Sequence, residues 1–81
     1  MNDDEMARRA HELDVTVHVG KHGVESVVEE LSNQLENEEM VKVKFLRAAR
    51  GGTSTDELAE QLAEAAGATL YRTRGNTAVY Y

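Results

Sequence analysis

Val15-Thr16-Val17-His18-Val19-Gly20-Lys21-His22-Gly23-Val24 is the stretch on which the fold turns. Val15, Val17 and Val19 alternate with Thr16 and His18, the period-2 pattern of a half-buried strand. From Val24 the period changes. Val24, Val27, Val28, Leu31 and Leu35 form a stripe of helical spacing, with Glu25, Glu29 and Glu30 off it. A strand therefore hands over to a helix through Gly20-Lys21-His22-Gly23. The glycines let the chain turn tightly and let a ligand's backbone come close. N–H groups at the start of the new helix point over the loop and favour an anion. Lys21 adds a mobile cation, and His22 a ring that can donate, accept or stack. The suggested ligand is a phosphate, such as the phosphodiester of a nucleic acid. Taken alone, the tetrapeptide reads more simply as a tight strand-to-helix turn.

On the amino-terminal side, Met6, Ala10 and Leu13 are spaced for one face of a short helix, with Arg8 and Arg9 pointing elsewhere. On the other side, the polar run 34–39 ends the central helix. Met40 to Leu46 then alternates, opposing Val41, Val43 and Phe45 to Lys42 and Lys44. Arg47 to Thr53 reads as a basic loop containing Gly51-Gly52. Ser54-x-x-Glu57 has the form of a capping box for a helix carrying Leu58, Leu62, Ala65 and Ala66, which Gly67 is placed to stop. Ala68 to Arg74 and Thr77 to Tyr81 read as strands joined at Gly75-Asn76.

The element order is α, then β-α-β-α-β-β. It predicts an α/β (α+β) fold: a two-layer βαβαββ core with a mixed four-stranded sheet and an extra N-terminal helix. Two β-α-β units imply parallel pairing, with right-handed crossovers placing both helices on one face and the hairpin adding an antiparallel member. Thr16, His18, Lys42 and Lys44 are left on the other face. The glycine loop opens at the carboxyl end of the first strand, where ligands usually sit in such sheets.

Fifteen acids against nine Lys and Arg give a net charge of −6, at first sight unfavourable to a nucleic-acid partner. The distribution matters more than the sum. Acids crowd the start and the helices, whereas Met40 to Thr55 has no acid but holds Lys42, Lys44, Arg47 and Arg50. After Ala65 the only charges are Arg72 and Arg74. Such a chain folds two-faced. Its acidity also suits a high-salt cytoplasm. Without cysteine, disulfides and thiol chemistry are excluded. The acidic start is unlike a signal peptide and no apolar run approaches membrane length, so a single cytoplasmic domain over 1–81 is expected, with no membrane partner.

These segments together resemble the CRM domain family, small RNA-binding domains typified by the bacterial YhbY protein and plant organellar splicing factors. The resemblance runs through 17–24, then Glu30-Leu31, then 39–44, Gly67-Ala68 and 75–81. It implies a fold like that of the C-terminal domain of bacterial translation initiation factor 3, with a glycine loop like that of KH domains. It also implies association with large-subunit ribosomal precursor RNA. Asp14 stands where members usually have proline before the first strand. The chain stops at Tyr80-Tyr81 without the usual closing arginine, and it is acidic where many members are basic.

With that resemblance, Gly20, Lys21, His22 and Gly23 become an RNA-contacting loop, with Lys21 as its phosphate cation. Lys42, Lys44, Arg47, Arg50, Arg72 and Arg74 are the further candidate RNA contacts. Arg47 and Arg50 lead that group, because arginine pairs bidentately with phosphate. Tyr71, Tyr80 and Tyr81 read as lids on the core, and His11 and His18 as structural or solvated. No triad, Walker lysine or zinc spacing is present, so no catalytic residue, metal or cofactor is expected. The partners expected are ribosomal precursor RNA and ribosomal or assembly proteins, met by a monomer. The competing reading is a protein-binding adaptor that docks through the acidic helices.

Overall fold

The computed structural model describes residues 2–81; Met1, the first residue of the acidic start, lies outside them. Helix α1 (Asp3–Glu12) begins where Asn2 Oδ1 accepts from the Glu5 N–H at 2.8 Å, and Asp3, Asp4 and Glu5 fill its first turn. That placement suits the positive end of the helix dipole. Strand β1 (Val15–Val19) follows. The stripe from Val24 does not begin as α-helix. One 3-10 turn, Val24–Val27, precedes α2 (Val28–Asn37). Both the N–H of Ser26 (3.3 Å) and its Oγ (2.7 Å) donate to the Gly23 carbonyl, which tightens this first turn.

Strand β2 (Val41–Phe45) leads into a second 3-10 turn, Arg47–Ala49, within the stretch expected as a basic loop. Helix α3 (Thr55–Ala66) starts at Ser54, whose Oγ accepts from the Glu57 N–H at 3.2 Å. The reciprocal half of the capping box is absent, because Glu57 Oε2 instead accepts from Thr53 Oγ1 at 2.7 Å. Gly67, left-handed at φ 66°, ends α3. β3 (Leu70–Arg74) and β4 (Thr77–Tyr80) are joined through Gly75-Asn76.

The sheet order is β1-β2-β4-β3, with β1 parallel to β2 and β4 antiparallel to both neighbours. The sheet is mixed and four-stranded as expected, but the second crossover does not set β3 beside β2. β4 takes that place, for a reason visible in its side chains. Ala78, Val79 and Tyr80 are all buried, so β4 is apolar on both faces and belongs at the centre. β3 carries Arg72, Thr73 and Arg74, which an edge tolerates.

Helices α2 and α3 cover one face. Val17, Val19, Leu31, Val43, Phe45, Leu62 and Tyr80 make the main core there. α1 packs on the opposite face, burying Met6 and Ala10 against Met40 and Val79, with Leu13 and Tyr71 at the margin. The two-layer core therefore gains a third layer over part of its other side.

The Tyr80 hydroxyl donates to the Ala59 carbonyl at 2.8 Å inside the core. Burial raises its phenol far above the ordinary 10.0. A phenol raised by folding supports the fold fully below the unfolded value, and that support is lost as pH climbs above it. Wild type is therefore expected to lose stability between about pH 9 and about pH 11 more steeply than Tyr80→Phe, as urea unfolding would show. At neutral pH the same variant costs about 1 kcal/mol for the missing hydrogen bond.

Candidate nucleic-acid interface

Since β1, β2 and β3 point the same way, the segments that follow them meet at one end of the sheet. The Leu46 N–H donates to the Val19 carbonyl at 2.9 Å, and the Phe45 N–H to the Asn76 carbonyl at 2.8 Å. The glycine loop, the Arg47–Ala49 turn and the hairpin tip are thereby tied into one rim.

The glycine loop is a closed turn. The Gly23 N–H donates to the Gly20 carbonyl at 3.0 Å, leaving Lys21 and His22 exposed at the tip. Gly23 sits at φ 79°, ψ −178°, a region where a side chain costs about 1–3 kcal/mol. Gly20 has no such need; a Cβ there would meet only Leu46 Cδ1, at 4.0 Å. Among the described residues, the N–H groups of Lys21, His22 and Val24 have no protein acceptor. The helix end expected at Val24 is a four-residue 3-10 turn, too short to carry much dipole. What this end offers an anion is the loop's own N–H groups and Lys21.

From the rim, a polar strip runs onto the face that carries α1. Its first row crosses all four strands: His18 opposite Lys44, Lys44 opposite Thr77, and Thr77 opposite Arg74. In the next row Val79 stands between Lys42 and Arg72. α1 seals that row over Val79 and brings His11 with it. His11, Lys42, Arg72, Arg74 and Thr77 line a small cavity of about 30 Å³. The register of β3 slips between Leu70 and Arg72, and the Arg72 guanidinium lies 5.5 Å from the centre of the Tyr71 ring. That contact steadies an otherwise flexible cation.

Sequence spacing could not join Lys42, Arg72 and Arg74; strand order does. Arg47 is exposed on its turn. Arg50 is half-buried and anchored, its Nε donating to the Phe45 carbonyl at 3.1 Å. The structure therefore gives Arg50 a role in closing the rim besides its charge. The tyrosines divide: Tyr80 lies in the core, Tyr71 under α1, and Tyr81 is exposed beyond the sheet's far end, paired with Thr69. His11 and Thr77 are the strip residues that sequence reading missed; His18 was placed on this face with Lys42 and Lys44 but read as structural or solvated. The signal for His11 was the apolar stripe of its own helix, which had to dock on some face.

The electrostatics are one-sided. Among the described residues, Arg9 to Glu39 at 2.7 Å is the one salt bridge. Lys21, Lys42, Lys44, Arg47, Arg50, Arg72 and Arg74 thus have no carboxylate within 4.0 Å, in a chain with 15 acids. Unpaired cations of this density suit a polyanion. Among the described residues, no group of His, Asp and Glu gathers as a metal site, and no helix is long and apolar enough to cross a membrane.

Three comparisons bear on this surface. A probable RNA-binding protein of Methanocaldococcus jannaschii is 38% identical over 68 residues, which is 84% of this chain and 51% of that protein. The chain thus spans about half the length of that relative. The solution structure of a hypothetical Staphylococcus aureus protein, described as a candidate RNA-binding protein, superposes with a TM-score of 0.76 at 30% identity. That match covers 96% of this chain and 80% of the other. The model of the CRS1 / YhbY (CRM) domain matches residues 2–81. Matched by the family model along 2–81 and superposing on a related solved fold over 96% of its length, this chain belongs to the CRS1 / YhbY (CRM) domain family.

Proposed function

We propose that this domain binds folded RNA, large-subunit ribosomal precursor RNA in particular, by its phosphates and without catalysis, in the cytoplasm. The observation that carries the reading is the segregation of charge: seven cations without a carboxylate partner occupy the glycine-loop rim and the α1 side of the sheet. The loop N–H groups and Lys21 hold one phosphate. His18, Lys44, Thr77 and Arg74 continue the track across the strands, towards the cavity that His11 closes. Among the described residues no Phe, Tyr or Trp ring stands open along this track, and His11, His18 and His22 are its exposed rings, so it offers no Phe, Tyr or Trp platform for stacking single-stranded bases. Recognition then rests on backbone shape, which favours folded RNA over loose single strands. The names of the two relatives, and family membership, support RNA as the ligand; the ribosomal target is the reading the family suggests. The core is read as akin to the C-terminal domain of translation initiation factor 3.

Fluorescence anisotropy with large-subunit ribosomal RNA fragments tests this. Saturable binding is expected, weakened about fivefold by Lys21→Ala as one phosphate contact is lost. The acidic helices should make the salt slope shallower than that of a basic relative of the family, measured alongside. A slope as steep as the basic relative's, or no effect of Lys21→Ala, would overturn the phosphate-clamp reading.

A further inference from the structure

The opposite flank of the sheet carries a second surface with the reverse charge, and we infer that it takes an extended lysine- or arginine-rich peptide from a protein partner, added beside β1 as a fifth strand. This inference stands apart from the RNA reading: it rests on the outer edge of β1 and the carboxylates beside it, and only His18 and Lys42 adjoin both surfaces.

β1 is an edge strand. Parallel pairing commits the backbone groups of alternate residues to β2; the Val19 carbonyl, for one, accepts from Leu46. His18 consequently turns its N–H and carbonyl away from the sheet, and at Thr16, where the register shifts between Val15 and Val17, the carbonyl reaches outward to Gln34. The Thr16 carbonyl takes a long 3.4 Å contact from Gln34 Nε2, and among the described residues the outward N–H of His18 has no acceptor outside the sheet. Natural sheets usually blunt such an edge with lysine, proline or a covering segment. Here the cover is one glutamine side chain.

Beside this edge lies a groove of about 890 Å³ between β1 and α2. Of its apolar lining, Leu13 is half-exposed and offers a rest for one side chain of an added strand, whereas Met40 and Val41 are buried. The remaining lining decides the occupant. Asp14, Glu29, Glu30 and Glu38 line the groove, and none has a cation within 4.0 Å among the described residues. Lys42 is the one cation in the lining. A second copy of the chain would bring its own carboxylates against these, at a net charge of −6 apiece. Nucleic acid is repelled for the same reason. A chain of alternating basic residues satisfies both demands, pairing with the carboxylates and supplying main-chain partners to Thr16 and His18.

The test uses the full chain, labelled with nitrogen-15, and three synthetic ten-residue peptides: alternating Lys and Thr, alternating Lys and Pro, and alternating Glu and Thr. The Lys-Thr peptide should bind saturably, shift the amides of Thr16, Gln34 and Val41, and slow hydrogen exchange at His18 about tenfold or more. The Lys-Pro peptide has the same charge but no hydrogen-bond donors at alternate positions, and should bind at least about tenfold more weakly. Glu29→Lys/Glu30→Lys should weaken the Lys-Thr complex about tenfold, whereas the equal charge change Glu60→Lys/Glu64→Lys on α3 should leave it within about twofold. Equal binding of the two lysine peptides would reduce the effect to bulk attraction and overturn strand addition. So would shifts centred on β3, binding of the Glu-Thr peptide, a dimer through β1 in sedimentation, or no saturable binding. Ribosomal RNA titrated into Glu29→Lys/Glu30→Lys keeps the two readings separate. Undiminished RNA affinity leaves that reading intact whatever the peptides do.

Discussion

Arg72→Glu/Arg74→Glu is expected to weaken ribosomal RNA binding by about a hundredfold or more while the domain remains folded. Both residues lie on edge strand β3, Arg74 exposed and Arg72 half-buried, and neither belongs to the main core. Their charges project into the cavity that also holds Lys42 and His11. Reversal removes two phosphate partners and sets two carboxylates beside the remaining track, so loss and repulsion add. By comparison, Lys21→Ala removes a single contact on a mobile tip. Anisotropy titration, with circular dichroism to confirm the fold, checks the expectation. An affinity within threefold of wild type would move the RNA from the sheet face to the rim alone. The salt slope should also fall by about two contacts' worth, roughly 1.5 units of log affinity per log salt.

Phe45→Ala carries the largest expected cost to stability, about 3–5 kcal/mol in urea unfolding. Phe45 is fully buried where β2 meets the helices and is among the bulkiest enclosed side chains. Its backbone also holds the rim, donating to Asn76 and accepting from Arg50. A domain of this size has only about 4–12 kcal/mol to lose, so much of the population should unfold near body temperature. Phe45→Leu keeps most of the apolar volume and should cost clearly less, about 1 kcal/mol. A loss below about 1 kcal/mol for the alanine variant would mean that the core closes around the gap.

These two expectations draw on different kinds of knowledge. Phe45 could be placed in the core from its alternation with Lys42 and Lys44. The importance of Arg72 and Arg74 could not, because spacing shows that they share a strand face but not which strand lies next to theirs. The glycine loop falls between these cases. Its position between strand and helix was legible, as was the exposure of Lys21. The 3-10 turn at Val24 was not, because it depends on Ser26 bonding back to Gly23. The basic loop after β2 was likewise legible by charge, while the anchoring of Arg50 on the Phe45 carbonyl was not.

Local pattern by itself determined the number and order of the α-helices and strands, the buried faces of β1 and β2, the stop at Gly67 and the segregation of acids onto helices. These follow from periodicity and from backbone preferences that act over a few residues. Only the tertiary structure decided that β4 lies between β2 and β3, that α1 docks on the face opposite α2 and α3, and that His11, Lys42, Arg72 and Arg74 meet. Each of these depends on which apolar surfaces bury one another. Strand spacing says which side of a strand is apolar, but the partner for that side is chosen by the whole chain at once.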